Sequence, residues 1–384
     1  MKWDTVFHRN SRYIKMVKGS AGRYMKKILF NGSIFVTKRK DGIPRFAEEL
    51  LKEFDVISKD LDAELVTPVE IEFPLKNIKI NLFRPEFFAK NHLCAEIWRQ
   101  VLFVNYANSL DCIVVDLGMM LPFGRNDICA IYDCLPEMYP NNYKRSLIYN
   151  LGYRIRMLQR RNAILHSKLI VADSEDAKKQ IIHYYHPDSD KIHVIYGAWQ
   201  HFLPVKEDYG IFETYPQLKK NRFFFSLGSR FLHKNNAWII SAARQNPNDL
   251  FVVTGYNDVS SYSKGIMEQS PENVLFTGYL SDGEIKALMA SCRAFIQPSF
   301  TEGFGMPPME ALSAGAEIIV SDASCLPEIY QEAAHYIDPY DYDNIDMDAI
   351  LAKPAGDGES LLKQYSWKKS AERLLDCIRL LDKK

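Results

Sequence analysis

The hydrophobic positions of this chain fall into short apolar runs, separated by longer stretches in which apolar residues recur with helical spacing. Short buried runs between amphipathic helices are typical of parallel sheets that are covered by helices on both faces. The runs predict strands at 28–31, 64–66, 112–116, 128–132, 169–172 and 192–196, and again at 222–228, 250–255, 273–278, 295–298 and 317–321. The chain is therefore predicted to be an α/β protein.

The amphipathic stretches predict helices at 47–54, 143–166, 175–185, 237–244, 281–289, 307–314 and 367–380. The pattern breaks at 197–214, where Pro204 and Gly210 interrupt it, and this break predicts the hinge between two domains. A chain of 384 residues is long enough for two hydrophobic cores. We expect a basic extension at 1–27, a Rossmann-like domain at 28–200, a second at 201–365 and a terminal helix at 366–384.

Composition excludes several classes of function. Basic and acidic residues balance at 48 each, so no overall positive field recruits nucleic acid. The 7 cysteines are scattered and form no Cys-x-x-Cys pair, which favours a reduced, cytoplasmic protein. No apolar run reaches the roughly 18 residues of a membrane span, and the first residues lack the apolar core of a signal peptide.

The most informative stretch follows the predicted strand at 295–298. Residues 303–305 (Gly-Phe-Gly) form a flexible loop, Pro307 or Pro308 suits the first turn of a helix, and Gly315 suits its end. The unpaired N–H groups and the positive dipole end of such a helix face the loop. This arrangement predicts an anion site.

Two carboxylates bracket this anion site, with Glu302 in the loop and Glu310 about one turn inside the helix. Carboxylates repel phosphate but accept hydrogen bonds from hydroxyl groups. A ligand with phosphate between two hydroxyl-bearing ends is a nucleotide sugar. The Glu-x7-Glu spacing, with Gly-Phe-Gly inside it and Glu-Ala-Leu-Ser-Ala-Gly from Glu310, resembles the donor-site signature of the retaining glycosyltransferases of family 4. These enzymes have the two-domain GT-B fold, and the resemblance implies that Glu302 binds sugar hydroxyls and Glu310 the ribose.

A second anion site is predicted where the strand at 222–228 ends. Arg230 and Lys234 lie four residues apart, between this strand and the following helix. The resemblance makes them the cations that bind the diphosphate, and makes the backbone near Tyr279 and Leu280 the part that pairs with the nucleobase. The donor-binding set implied in this way is Gly42, Gly228, Ser229, Arg230, Lys234, Tyr279, Leu280, Glu302, Gly303, Phe304, Gly305, Met306 and Glu310.

Tyr132 and Asp133 come at the end of the predicted strand 128–132, at the sheet edge where open α/β sheets bind ligands. They resemble a family position that usually holds a histidine followed by an acid, and that histidine is expected to touch the transferred sugar. A tyrosine still donates a hydrogen bond but does not titrate near neutral pH. Asp133 is a candidate for orienting the sugar or the acceptor, not a general base. The candidate catalytic residues are Asp133, Tyr132, Arg230, Lys234 and Glu302.

Two segments are unusually basic. Residues 1–27 carry eight Lys or Arg residues against one acid, and residues 143–166 carry six with no acid, with aromatic residues between them in both. Such segments bind anionic membrane surfaces, or they are solvated charges that pair with other elements. The sequence leaves both interpretations open.

Transfer of a sugar from a nucleoside diphosphate leaves negative charge that must be neutralised. Asp-x-Asp pairs could hold a metal ion for this purpose, but those at 60/62, 188/190, 341/343 and 346/348 fall in polar loops or helix starts. We therefore expect no metal and no other cofactor, with Arg230 and Lys234 in its place. The predicted function is transfer of a hexose-type sugar, with retention, from a UDP- or GDP-sugar to a glycan or lipid-linked acceptor of a cell-surface polysaccharide. The alternatives are a non-catalytic GT-B scaffold and a GT-B epimerase.

Overall fold

The computed structural model describes residues 25–37, 42–83, 92–118, 122–140, 147–218, 220, 222–229, 231–255 and 261–383. Its strands are β1 (Lys27–Asn31), β2 (Ala63–Thr67), β3 (Lys79–Leu82), β4 (Cys112–Asp116), β5 (Ile128–Ala130), β6 (Leu169–Ala172), β7 (Ile192–Val194), β8 (Phe223–Leu227), β9 (Leu250–Thr254), β10 (Val274–Gly278), β11 (Ala294–Gln297), β12 (Glu317–Ser321) and β13 (His335–Ile337).

Within the described residues the strands form two separate parallel sheets. One has seven strands in the order β3-β2-β1-β4-β5-β6-β7, and the other has six in the order β10-β9-β8-β11-β12-β13. Each order reverses beside its first strand, between β1 and β4 and between β8 and β11. Open sheets of this kind bind ligands outside the carboxyl ends of the strands at the reversal point. Both Rossmann-like halves of the predicted GT-B fold are therefore present.

The α-helices of the described residues are Gly42–Ile57, His92–Ile97, Val104–Asn108, Leu135–Met138, Leu147–His166, Glu175–Tyr185, Ile211–Thr214, Asn236–Gln245, Ser261–Gln269, Asp282–Ser291, Met306–Ser313, Leu326–Tyr330, Met347–Leu351, Gly358–Leu362 and Trp367–Asp382. A π-helical stretch, Trp98–Phe103, joins the second and third of them. None of these helices is both long and apolar enough to cross a membrane.

The last helix returns to the first domain, as predicted. Trp367–Asp382 packs along Gly42–Ile57, and the Trp367 ring meets Phe46 edge to face at 5.2 Å between centroids. The prediction that the first helix begins near residue 47 is wrong, because the helix already begins at Gly42, where φ is 53°. The strand β3 was not predicted, since it is largely exposed and carries no apolar run. The helical segment 92–108 was not predicted either.

Two lysines of the predicted basic extension belong to the folded domain instead. Lys26 pairs with Asp111 at 2.7 Å. Lys27 opens β1 and pairs with the buried Glu64 at 2.7 Å. Residues 1–24 lie outside the described residues, so the membrane interpretation of that segment stays a prediction.

Candidate functional site

The Gly-Phe-Gly loop lies at the carboxyl end of β11, where the second sheet reverses its order. Gly305 caps the helix Met306–Ser313 with φ of 78°, in the left-handed region. A Cβ atom at this position would come within 2.7 Å of Leu326 Cδ2, so only glycine fits. The hydroxyl of Tyr330 donates to the Gly305 carbonyl and fixes the start of the helix beside the loop.

Glu302 is a buried carboxylate that several donors hold in place. Lys234 Nζ donates to its two oxygens at 2.7 and 2.8 Å. Ser299 Oγ and Gln297 Nε2 donate to Oε1 at 2.6 and 3.0 Å. Burial raises the pKa of Glu302, but the charge of Lys234 and the hydrogen bonds from Lys234 and Ser299 together outweigh burial, and the pKa lies below its ordinary value. The result is an ionised, rigid acceptor for hydroxyl groups.

The position of Lys234 depends on the residue that follows it. Asn235 has φ of 53°, a conformation that Asn tolerates better than most residues. Its amide nitrogen donates to the carbonyl oxygens of Pro298 at 3.0 Å and Pro339 at 2.8 Å, which ties the turn to the loop after β11. Neighbouring His233 is buried, and burial together with the charge of Lys234 lowers its pKa to about 4. Lys234 therefore carries the cationic charge of this turn at neutral pH.

Glu310 is held by a series of hydrogen bonds that starts in the terminal helix. Trp367 Nε1 donates to His201 Nδ1 at 3.3 Å, and His201 Nε2 lies 2.8 Å from Glu310 Oε1. Because an indole N–H only donates, Nδ1 is the acceptor and Nε2 carries the proton. Arg45 of the first domain lies 3.8 Å from the same carboxylate oxygen. Glu310 is thus fixed by His201 while a first-domain arginine approaches it.

On the first domain, Tyr132 and Asp133 follow β5 as predicted, but the tyrosine side chain is directed into the core. Its hydroxyl donates to the Leu117 carbonyl at 2.8 Å, and its ring packs on Phe46. Asp133 Oδ1 accepts from the Leu135 N–H at 3.1 Å. Burial raises the pKa of the Asp133 carboxyl, in spite of the opposing charge of Arg160.

The two domains touch at Gly303. A Cβ atom there would lie 2.4 Å from the carbonyl oxygen of Tyr132 and 2.6 Å from Asp173 Oδ2, so a larger residue would force the domains apart. Beside this contact, Ser324 Oγ donates to Asp176 Oδ2 at 2.9 Å. The next loop residue, Phe304, is buried against Gly197, whose own Cβ position lies 2.8 Å from its ring. The structure is therefore a closed arrangement in which the donor loop meets the first domain.

The other predicted donor-binding residues surround this centre at different distances. The Gly228 carbonyl lies 2.8 Å from the Cβ position of Gly255, and Ser229 Oγ accepts from the Phe231 N–H at 3.2 Å. Tyr279 is 69% exposed, and Leu280 is half-buried. Arg230 lies outside the described residues, so its place in the site stays a prediction.

Gly42 and Met306 open helices, and their predicted contacts with the donor stay predictions as well. A Cβ atom on Gly42 would meet no atom within 4 Å among the described residues, so its φ of 53° alone explains the glycine. Met306 begins the helix that follows the Gly-Phe-Gly loop.

Sequence reasoning missed three polar residues of this region. Asp173 directly follows the apolar strand β6, and the rule that directed attention to Asp133 would have found it. Ser299 follows β11 in the same way. No sequence signal identifies His201, because it lies in the hinge and meets Glu310 only through folding.

Among the described residues, no group of three or more His, Cys, Asp or Glu side chains is placed to hold a metal ion. Three of the four Asp-x-Asp pairs act in caps and turns, as expected, whereas Asp62 of the fourth pairs with Lys27. Asp188 and Asp346 cap short helices, and Asp341 accepts from the Asp343 N–H at 2.9 Å. The expectation that activity needs no metal stays a prediction.

Residues 211–351, which hold Lys234, Glu302 and Glu310, match the family model described as "Glycosyl transferases group 1". Over these residues the chain is similar to that family. Its solved structural neighbours show the same two-domain GT-B fold. Sucrose-phosphate synthase from Thermosynechococcus elongatus superposes with a TM-score of 0.69 at 12% identity, over 93% of this chain and 99% of the neighbour. Anabaena HepE, solved with UDP and glucose, gives 0.63 at 17% identity, over 92% and 99%.

Curated relatives match a longer part of the chain than the family model does. The O-antigen chain mannosyltransferase RfbU of Salmonella typhimurium is 27% identical over 227 residues, which cover 58% of this chain and 59% of RfbU. The O-antigen chain mannosyltransferase B of Escherichia coli is 24% identical over 282 residues, which cover 66% and 68%. The match to RfbU thus spans less than two thirds of that protein.

Proposed function

We propose that this protein is a glycosyltransferase that transfers a mannosyl residue, with retained anomeric configuration, from GDP-mannose to a growing O-antigen or similar cell-surface glycan. The observation that carries the proposal is the Lys234–Glu302 pair beside the helix N-terminus at Gly305. It brings together a cation, an ionised carboxylate and the positive end of a helix dipole, which are groups that suit a sugar diphosphate. The names of the curated relatives favour mannose among the hexoses.

The roles follow from charge and position. The diphosphate lies against Lys234, Arg230 and the N-terminus of Met306–Ser313, which neutralise the charge that develops as the sugar leaves. Glu302 accepts hydrogen bonds from the sugar, and Glu310, fixed by His201, accepts them from the ribose. The acceptor enters from the first domain, near Asp133.

Tyr132 gives specific support to one alternative, a non-catalytic GT-B scaffold. Its hydroxyl is committed to the Leu117 carbonyl, so it offers no titrating group to a substrate. A scaffold would neither bind a nucleotide sugar tightly nor turn it over. Turnover therefore separates the two functions, and product stereochemistry separates a retaining transferase from an epimerase.

The purified protein should be screened for thermal stabilisation by GDP-mannose, UDP-glucose, UDP-galactose and ADP-glucose, and release of mannose from GDP-mannose followed by proton NMR. We expect stabilisation by GDP-mannose and slow hydrolysis that first yields the α-anomer. Arg230→Ala and Lys234→Ala should each slow turnover roughly a hundredfold. Lys363→Ala, which removes an exposed lysine paired with Glu359, is the matched control and should leave turnover unchanged. Absence of stabilisation by all four donors, together with absence of GDP-mannose turnover, would favour the scaffold.

We also propose that the protein binds an anionic membrane surface through the helix Leu147–His166. Leu151, Ile155 and Leu158 are exposed on one face of it, at 60%, 41% and 58%. Arg154 and Arg161 are exposed on the same face. An apolar stripe flanked by arginines suits the interface of a bilayer with anionic lipids.

Not all of the basic residues predicted for this helix belong to the surface. Arg160 is buried and pairs with Glu137 at 2.8 Å. Tyr153 donates to the Pro136 carbonyl at 2.9 Å. The proposal therefore rests on the exposed stripe and not on the total charge of the segment.

A further inference from the structure

Asp173 is a buried carboxyl group that the fold leaves unsatisfied. It follows β6 at the carboxyl edge of the first sheet and is 5% exposed. Among the described residues, its Oδ1 has no hydrogen-bond partner. A buried polar atom without a partner is costly and uncommon, so Asp173 requires an explanation other than stability.

Two other polar side chains at this edge have partners within their own domain. The Tyr132 hydroxyl donates to Leu117, and Asp133 Oδ1 accepts from the Leu135 N–H. Asp173 instead faces the donor loop across the contact between the domains, with Oδ2 2.6 Å from the Cβ position of Gly303. Asp173 is therefore placed to meet a group that the donor loop carries.

We propose that Asp173 binds a hydroxyl group of the transferred sugar in this closed arrangement of the two domains. The inference rests on the proposed function, which places the sugar at Glu302, the residue before Gly303. Glu302 and Asp173 then contact the sugar from opposite domains. A hydroxyl group both donates and accepts hydrogen bonds, so it can satisfy Oδ1 in either protonation state of the carboxyl.

The charged surroundings of Asp173 are consistent with a neutral ligand. Burial raises the pKa of Asp173 well above its ordinary value, and the carboxylates of Asp133, Glu328 and Glu302 raise it further. A second anion, such as a phosphate oxygen, would be repelled here. A sugar hydroxyl is not, and a protonated Asp173 could donate to it.

A purely structural Asp173 makes a different prediction from a sugar-binding one. If the carboxyl served only the fold, replacing it with an isosteric amide would relieve an unfavourable buried acid and leave the kinetics unchanged. If Asp173 binds the sugar, its replacement changes kcat/KM for the nucleotide sugar but leaves the affinity for GDP unchanged. Donor analogues that lack single hydroxyl groups distinguish the two.

Asp173→Asn and Asp173→Ala should be compared with wild type in GDP binding and in turnover of GDP-mannose. Asp127→Asn is the matched control, because Asp127 is a buried acid that precedes β5, at the opposite edge of the same sheet, where it pairs with Lys168. We expect GDP affinity within twofold of wild type in all variants. We expect kcat/KM for GDP-mannose to fall about tenfold to a hundredfold in Asp173→Ala, which is the effect of losing a hydrogen bond in a site that excludes water. Asp127→Asn should keep the wild-type value.

GDP-2-deoxy-, GDP-3-deoxy-, GDP-4-deoxy- and GDP-6-deoxy-mannose identify the contact. For one of these donors, kcat/KM of the wild type should already be reduced by as much as Asp173→Ala reduces it with GDP-mannose. The Asp173→Ala variant should show no further reduction in kcat/KM with that donor. Equal losses in wild type and variant for every deoxy donor, or unchanged kcat/KM in Asp173→Ala, would overturn the inference while leaving the proposed function intact. If wild type neither binds GDP nor turns over GDP-mannose, the proposed function fails and the inference fails with it.

Discussion

Glu328, in the second domain, caps the first turn of the first-domain helix that begins at Glu175. Its Oε1 accepts from the Glu175 N–H at 2.8 Å, and its Oε2 accepts from the Asp176 N–H at 3.0 Å. A carboxylate at a helix N-terminus satisfies unpaired donors and interacts favourably with the helix dipole. Glu328 is therefore a latch between the domains, at the contact where Ser324 reaches Asp176.

Glu328→Gln should loosen this latch without changing its shape. The amide lacks the charge and presents an NH2 group to one of the two backbone donors, so we expect closure to weaken by about 1 to 2 kcal/mol. Small-angle scattering should show a larger radius of gyration for the variant without nucleotide, and turnover should fall. Glu332→Gln, which changes an exposed acid a few residues away, is the control. Identical scattering curves for wild type and Glu328→Gln would show that Glu328 does not hold the domains together.

Lys234→Ala should destabilise the fold as well as slow catalysis. The change leaves Glu302 buried without its cation, and breaking a buried pair costs about 3 to 5 kcal/mol. We expect the lower end of this range, because the Lys234 side chain is 27% exposed. Urea denaturation measures the free energy of unfolding. The double variant Lys234→Met/Glu302→Gln should recover most of the loss, since no unpaired charge remains. A loss in the double variant equal to or larger than that in Lys234→Ala would disprove this account of the pair.

The stability of the protein should fall in acid partly because of His233. Its pKa is about 4 in the folded state against an ordinary value of 6.5. Between these values the unfolded chain binds a proton that the folded protein does not, so the free energy of unfolding decreases as pH falls from 6.5 to about 4. The contribution is about 3 kcal/mol at most. His233→Asn should remove it, which chemical denaturation at several pH values between 7 and 4 would reveal as a shallower slope. Parallel curves for the two proteins would contradict the assignment.

Activity on GDP-mannose should survive EDTA. Lys234, Arg230 and the helix N-terminus supply the positive charge in our proposal, so removal of divalent ions should change turnover less than about twofold. The measurement is kcat after dialysis against EDTA, with and without added Mg²⁺ or Mn²⁺. Loss of turnover that one of these ions restores would show that a metal takes part.

Membrane binding should depend on the exposed stripe of Leu147–His166. Sedimentation with anionic and neutral vesicles, at low and high salt, should show binding to the anionic vesicles only, and high salt should weaken it. The triple variant Leu151→Ser/Ile155→Ser/Leu158→Ser should bind at least tenfold more weakly, because insertion of the apolar stripe adds to charge attraction. Val56→Ser, at another exposed apolar position, should behave as wild type. Wild-type protein that remains in the supernatant in all four conditions rules out this surface.

Local signals in the sequence were sufficient for much of the fold. The capping box of Ser281 and Glu284 is present as predicted, because its partners are three residues apart and need no tertiary context. The strands β4 and β6 begin and end where their apolar runs do. The exposed strand β3 lacked such a run, and its pairing with β2 comes from the tertiary structure.

The candidate site was predictable as a list of residues but not as a set of contacts. Lys234 and Glu302 were each assigned to the donor, yet their mutual ion pair joins residues 68 positions apart and needs the reversal of strand order beside β8. The direction of the Tyr132 hydroxyl depends on the Leu117 carbonyl, which no pattern in the sequence reveals. Distant contacts of this kind depend on topology, whereas composition and spacing report only on neighbours along the chain.

The glycine at the domain contact also has a consequence for the timing of turnover. At Gly303 the domains meet through a residue that has no side chain to order, so closure at this point carries no loss of rotamer freedom. Reopening likewise requires no side chain to leave a packed position. The methyl group of an alanine at 303 would clash with the first domain and keep the cleft partly open. Such a variant would bind nucleotide but not assemble the complete sugar site, which makes it a means of capturing the substrate-loaded, open enzyme.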